Sequence, residues 1–203
     1  MSAIDLPSPM PVLTRRQALL GGLGAGLVAR PLRAAGPDLP ALLRQGGAVA
    51  VFRHALAPGT FDPPGFLLGQ CATQRNLSDA GRAQARALGE WFTRQGLRPA
   101  RVRSSPWCRC MDTATLAFGT AQAWPALGSP TGLQIDARAQ QLRELQTALV
   151  QAAGRAGSFE VWVTHMFVIA DLTGANTDSG DGVLIVPGAS GLPARVLAPL
   201  DLT

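Results

Sequence analysis

Ala48-Val49-Ala50-Val51-Phe52-Arg53-His54 runs five apolar residues into an arginine and a histidine. An unbroken apolar run of this length, without alternation, marks a strand buried on both faces, as in a parallel sheet covered by helices. The pattern returns downstream. Glu160-Val161-Trp162-Val163-Thr164 leads into His165, and the shorter strand Arg101-Val102-Arg103-Ser104 leads into Ser105. Further strands are expected near 182–186 and 194–198.

Helices separate these strands. Ser78 is placed to cap a helix running to about Gln95, with Ala80, Ala83, Ala87, Leu88 and Trp91 on its apolar face and Gly96 as its stop. Ser105-Pro106 reads as an N-cap followed by proline at the first helical position, opening a helix through about Phe118. Residues 119–134, with Pro125 and Pro130, read as irregular. A helix from Ala137 to Ala153 and a short one near Phe167–Leu172 complete the pattern. Alternating strands and helices predict an α/β three-layer sandwich with a mainly parallel central sheet flanked by helices. No internal repeat or linker divides it, so residues 36–203 read as a single domain.

Composition removes several chemistries. All 18 Lys+Arg positions are arginine, tyrosine is absent, and there are two histidines and three cysteines. Without lysine there is no Schiff-base enzyme and no phosphate loop ending in Gly-Lys-Ser/Thr. The formal charge of +5 raises the question of a nucleic-acid partner. Much of it sits in a leader. Arg15-Arg16 precedes a Gly-rich uncharged run from Ala18 to Val28, followed by Arg30, Arg33 and the small residues Ala34-Ala35-Gly36. Four glycines weaken any helix there by about 1 kcal/mol each, and the run is shorter than the ~20 apolar residues of a membrane span. Residues 1–35 therefore read as a twin-arginine export signal, with the cleavage site open. The remaining chain has 14 arginines against 12 acids, a net of +2. That disfavours nucleic acid and stable membrane insertion, and makes the export machinery a partner during secretion to the periplasm. Export also permits a disulfide. Cys108 and Cys110 lie too close, near a helix start, to bridge without strain, so Cys71 with one of them is expected.

In a parallel sheet the ligand site lies beyond the carboxyl ends of the strands. Both histidines of the chain fall at such ends, His54 beside Arg53 and His165 after Thr164, and Ser104-Ser105 with Arg109 follows a third. These residues carry a resemblance. Val51-Phe52-Arg53-His54-Ala55 resembles the Arg-His-Gly signature of the histidine phosphatase superfamily, whose fold is phosphoglycerate mutase-like. Asn76-Leu77-Ser78-Asp79-Ala80-Gly81 is similar to its first-helix segment. Ser104-Ser105-Pro106-Trp107-Cys108-Arg109 is similar to its second-arginine motif, and Val163-Thr164-His165 to its second-histidine segment. The four run in order from about Ala48 to Val186.

The resemblance implies a phosphoric ester hydrolase that uses neither metal nor cofactor. A neutral imidazole is a good nucleophile near pH 7, so His54 would take the phosphoryl group as phosphohistidine, to be released by water. Arg53 and Arg109 offer planar forks that match phosphate oxygens. His165, as imidazolium, would add a donor. Arg75 and Ser105 are further candidates for phosphate contact. For the acid that protonates the leaving group, Asp62 is preferred over Asp136, Glu144 and Asp181, because its loop should overhang the pocket. Two departures stand out: Ala55 replaces the usual glycine, and the apolar pair Met166-Phe167 follows His165, narrowing the substrate range. The expectation is a periplasmic phosphatase acting on a small phosphomonoester or phosphoanhydride. The alternative is a non-catalytic phospho-ligand binding module of the same fold. A mutase and a small metal-binding protein built on the cysteines and histidines are disfavoured.

Overall fold

The structure, a computed structural model, describes residues 37–189 and 192–202. The expected export signal at 1–35 lies outside the described residues. Six strands form one sheet in the order β3-β2-β4-β1-β5-β6. They are β1 (Ala48–Arg53), β2 (Arg101–Ser104), β3 (Gln122–Ala123), β4 (Phe159–Thr164), β5 (Gly182–Val186) and β6 (Arg195–Leu200). β3, β2, β4 and β1 run parallel, β5 is antiparallel to β1, and β6 is antiparallel to β5, so five of the six strands point the same way.

The helices are α1 (Leu39–Gln45), α2 (Asp79–Arg94), α3 (Cys108–Phe118), α4 (Ile135–Ala153) and α5 (Met166–Thr173). Side chains alternate across β1. Val49 and Val51 face Leu145 and Leu149 of α4 and Ile169 and Leu172 of α5. Ala48, Ala50 and Phe52 face Leu43 of α1, Leu88 and Phe92 of α2, and Cys110 and Ala114 of α3. This is the expected three-layer arrangement, and both faces of β1 and β4 are dry because both are covered.

Four local expectations change. Helix α2 starts where expected, with Ser78 Oγ accepting from Gly81 N at 3.1 Å. Its buried face, however, is Gly81, Ala85, Leu88, Gly89 and Phe92, while Ala80 and Ala83 are exposed. A Cβ at Gly81 would fall 2.0 Å from the Leu56 carbonyl oxygen, and one at Gly89 2.1 Å from that of Ala117. Close backbone approach chose this face, and glycine carries no hydropathy to reveal it. Helix α3 opens at Cys108 with Trp107 as its cap, and Ser105 is released for other contacts. The stretch 119–134 contains the short strand β3 beside β2. Helix α1, capped by Asp38 with proline in its first turn, was not expected.

Cys71 is bonded to Cys108, and Cys110 is free and buried. Two of the three sulfurs are thereby removed from any metal set. The bond ties the loop between β1 and α2 to the residue just before Arg109. It closes a span of 37 residues, which is worth about 4 kcal/mol to folding by restricting the unfolded chain. Reduction, or Cys71→Ser with Cys108→Ser, is expected to lower the melting temperature by roughly 10 °C. Equal melting curves with and without reductant would contradict this.

Candidate active site

The parallel register sets the carboxyl ends of β2, β4 and β1 side by side, with Arg53 opposite Thr164 and Ser104 opposite Val163. The residues that follow these ends are therefore delivered into one crevice. His54, Arg53, Arg109, His165, Asp62 and Arg75 all line a single cavity of about 390 Å³. Ser105 lies beneath it, fully buried.

His54 is buried, and its Nδ1 sits 2.8 Å from the carbonyl oxygen of Ala55. A carbonyl can only accept, so Nδ1 carries the proton and Nε2 presents its lone pair to the cavity, 3.5 Å from Arg75 Nη2. The turn that holds this carbonyl is fixed in its turn: Thr113 Oγ1 accepts from Ala55 N at 3.0 Å and donates to the Arg109 carbonyl at 2.7 Å. Burial, reinforced by Arg109, Arg75 and Arg53, pushes the His54 imidazole down to about 3. It is a neutral, oriented imidazole with its lone pair toward the cavity.

His165 lies 5.7 Å from His54, ring centre to ring centre. Its Nδ1 faces Arg109 Nη2 at 3.4 Å, and a guanidinium only donates, so the proton is on Nε2 and goes to Ser105 Oγ at 2.8 Å. Burial first, then Arg109, His54, Arg75 and Arg53, hold it well below the ordinary value of 6.5. The expected imidazolium is thus a neutral ring in this arginine field. Ser105, expected as a helix cap and possible phosphate ligand, serves instead as acceptor for His165.

Three guanidiniums surround the histidines. Arg53 donates from Nη1 to Thr177 O at 2.9 Å, and Arg75 from Nη1 to the carbonyls of Ala57 and Gly59. Arg109 grips Asp62 with Nη1 at 2.8 and 3.1 Å. Among the described residues, the Nε atoms of Arg53, Arg75 and Arg109 are buried with no hydrogen-bond partner. Against three cations the cavity lining offers one carboxylate, Asp62. The surplus of positive charge and of unused donors suits a doubly charged anion.

Asp62, expected to protonate the leaving group, has another part. Its Oδ1 accepts from Arg75 N at 2.9 Å and from Arg109, and its Oδ2 from Trp107 Nε1 at 3.1 Å and from Arg109. Burial alone would raise this carboxyl, but the Arg75 N–H, the Arg109 guanidinium and the Trp107 N–H outweigh it and hold it below the usual carboxylate range. It is an ionised clasp for Arg109. Of the other candidates, Glu144 is on α4 accepting from Trp124 Nε1 at 2.7 Å, Asp136 is exposed in the first turn of α4, and neither Asp136, Glu144 nor Asp181 lines the cavity. Sequence reasoning met Thr113 only as a neighbour of the second-arginine motif, with no role given, and did not single out Gln74, whose Oε1 accepts from Cys108 N at 3.0 Å. Both act by holding backbone, and backbone partners leave no motif.

The depressed imidazoles predict an unusual pH dependence. The unfolded chain binds a proton at each histidine below about 6.5, whereas the folded chain resists protonation of His54 down to about 3. Stability contributed by these rings is full above 6.5 and is lost as pH falls through that window. Because His54 stays neutral over this range, a reaction at its lone pair is expected to show no acid limb in kcat/KM at the ordinary histidine value. A profile measured from pH 4.5 to 8 with a limb at 6.5 tracking His54 would contradict this.

Comparison with known proteins bears on the fold and on one stretch of the chain. Residues 67–129 match the model of the histidine phosphatase superfamily (branch 1). That stretch holds Asp62's partners Arg75, Trp107 and Arg109, while both histidines lie outside it and are brought in by the fold. No curated protein matches the chain. Among solved structures, the chain is similar to mycobacterial glucosyl-3-phosphoglycerate phosphatase in complex with inorganic phosphate. The TM-score is 0.52 and the identity 18%, over 74% of this chain and 95% of that one. It is also similar to a phosphoserine phosphatase variant from Entamoeba histolytica in complex with phosphoserine. There the TM-score is 0.56 and the identity 12%, over 77% of this chain and 98% of that one. At such identities the likeness is one of fold. The chain has the phosphoglycerate mutase-like α/β fold, and its matched stretch resembles the histidine phosphatase superfamily.

Proposed function

We propose that the chain is a periplasmic phosphatase that hydrolyses a phosphomonoester or phosphoanhydride through a phosphohistidine on His54. One observation carries the reading: the Ala55 carbonyl accepts from Nδ1–H and so turns the Nε2 lone pair toward the three arginines. Arg53, Arg75 and Arg109 would bind the non-bridging phosphate oxygens and spread the charge of the transition state. Nε2 attacks phosphorus, the N–P bond forms, and the bond to the leaving oxygen breaks with its electron pair on that oxygen. Water then attacks phosphorus, the N–P bond breaks, and inorganic phosphate leaves with His54 restored. His165, between Arg109 and Ser105, contributes Nδ1 to the cavity floor.

The Cys71–Cys108 bond supports this reading, since it fits an oxidising compartment such as the one the proposed export would reach. The experiment is turnover of p-nitrophenyl phosphate by the exported protein, with vanadate as inhibitor. Activity should appear in the periplasmic fraction and be lost from it when Arg15→Lys and Arg16→Lys are combined. Binding of phosphate without turnover of any phosphoryl donor would favour the second reading, a phospho-ligand binding module. The ionised, ion-paired state of the cavity's one carboxylate is the observation on its side.

A further inference from the structure

The walls of the cavity, and the lack of a proton directed into it among the described lining residues, point to one class of substrate. Resting on the phosphatase reading, we infer that the site takes phosphoryl donors that combine an apolar body with a leaving group stable as an anion. Aryl phosphates and the diphosphates of apolar alcohols share that chemistry.

The first observation is the proton inventory. Both oxygens of Asp62, the sole carboxylate lining the cavity, are taken up by Arg75 N, Arg109 and Trp107. His165 is clasped between Arg109 and Ser105, with its one proton directed to Ser105. The remaining polar lining is hydroxyl: Thr60, Ser129 and Thr131. Among the described residues that line the cavity, none holds a proton directed at a departing alkoxide, a task for which enzymes use a side chain with pKa near the working pH. When the P–O bond breaks, the electron pair must rest on an oxygen that tolerates it unprotonated. A phenolate of pKa about 10 or below does so. A monophosphate released from a diphosphate does so better, since its second pKa is about 6.

The second observation is independent of the first. Above the arginine floor the lining is Phe61, Phe66, Trp107, Met166 and Phe167. Phe61 is 69% exposed, Phe167 41% and Met166 37%, an apolar rim held open to solvent at the entrance. Outside the charged floor the polar side chains of the lining are Thr60, Ser129 and Thr131, outnumbered by the five apolar ones. Phe66 packs on Trp107 at 6.0 Å between ring centres, and Trp107 on His165 at 5.2 Å, so the apolar wall is continuous down to the reacting centre.

The test uses the exported full chain and four kinds of probe. These are an aryl phosphate series of rising phenol pKa, geranyl diphosphate, acetyl phosphate (a good leaving group without an apolar body) and glucose 6-phosphate. Rates should fall steadily along the aryl series. Geranyl diphosphate should release inorganic phosphate, and glucose 6-phosphate should run at least about 100-fold below p-nitrophenyl phosphate, the gap a general acid would close. Phe61→Ser combined with Phe167→Ser should lower the ratio of geranyl diphosphate to acetyl phosphate activity at least about tenfold. Both side chains are exposed, so folding is spared. The aryl and diphosphate arms separate the two sources of this chemistry by their relative kcat/KM. Rates independent of leaving-group pKa, or an unchanged ratio in the double variant, would overturn the inference while leaving the phosphatase reading intact. No turnover of any probe would remove both.

Discussion

His54→Ala is expected to abolish turnover while sparing phosphate binding. The imidazole is the one group in the cavity that presents an unprotonated nitrogen with its other nitrogen held by a carbonyl. Loss of a covalent nucleophile costs at least about three orders of magnitude in kcat, because the bound arginines cannot supply a new bond to phosphorus. The three guanidiniums remain, so inorganic phosphate should still raise the melting temperature of the variant by mass action. The Ala55 carbonyl loses its partner, at about 1–3 kcal/mol, which calls for comparing melting curves beside the kinetics. A variant that keeps a kcat within tenfold of the parent would contradict the nucleophile assignment.

Arg109→Ala should be almost as damaging, for a reason the geometry separates into two parts. Removing a charged donor aimed at the developing oxyanion typically costs 10²–10³ in rate. It also strands Asp62, whose side chain is 9% exposed beside an arginine side chain that is 5% exposed. Breaking one partner of a buried pair costs about 3–5 kcal/mol of stability, most of it the charge left behind. That stranded carboxylate would also repel the incoming phosphate. Asp62→Asn added to Arg109→Ala should therefore recover part of the lost stability and part of the lost phosphate affinity, while kcat stays low. Arg109→Lys keeps the charge but not the fork, and should fall between. If the double variant matches Arg109→Ala in both melting temperature and phosphate affinity, the clasp is not what holds the site.

Much of this architecture is legible along the chain, and what is not has physical causes. β1 and β4 are apolar throughout because both faces are covered, and such runs announce themselves. Their register then decides that Arg53-His54 and His165 share a crevice, which is why two histidines in 203 residues carried so much information. The face of α2 was misread because glycines 81 and 89 define it by close approach. Ser105 followed by proline has the signature of a cap, yet the buried His165 competes for the hydroxyl and wins it. The pairing of Cys71 with Cys108, left open by spacing, is settled by where the loop crosses the start of α3. Asp62 shows the clearest limit. A carboxylate over a pocket reads as an acid, and only the four hydrogen bonds converging on it, from three donors, reveal an ionised clasp.

The proposed chemistry meets its most direct test at Nε2 of His54. The exported protein is mixed with p-nitrophenyl phosphate, quenched in base within the first turnover, digested and mapped by mass spectrometry. A phosphoryl group on the peptide carrying His54, lost on brief acid treatment as a phosphorus–nitrogen bond should be, is the predicted result. Turnover with no phosphoryl group on His54 at any quench time, or with one on another residue, would contradict the account.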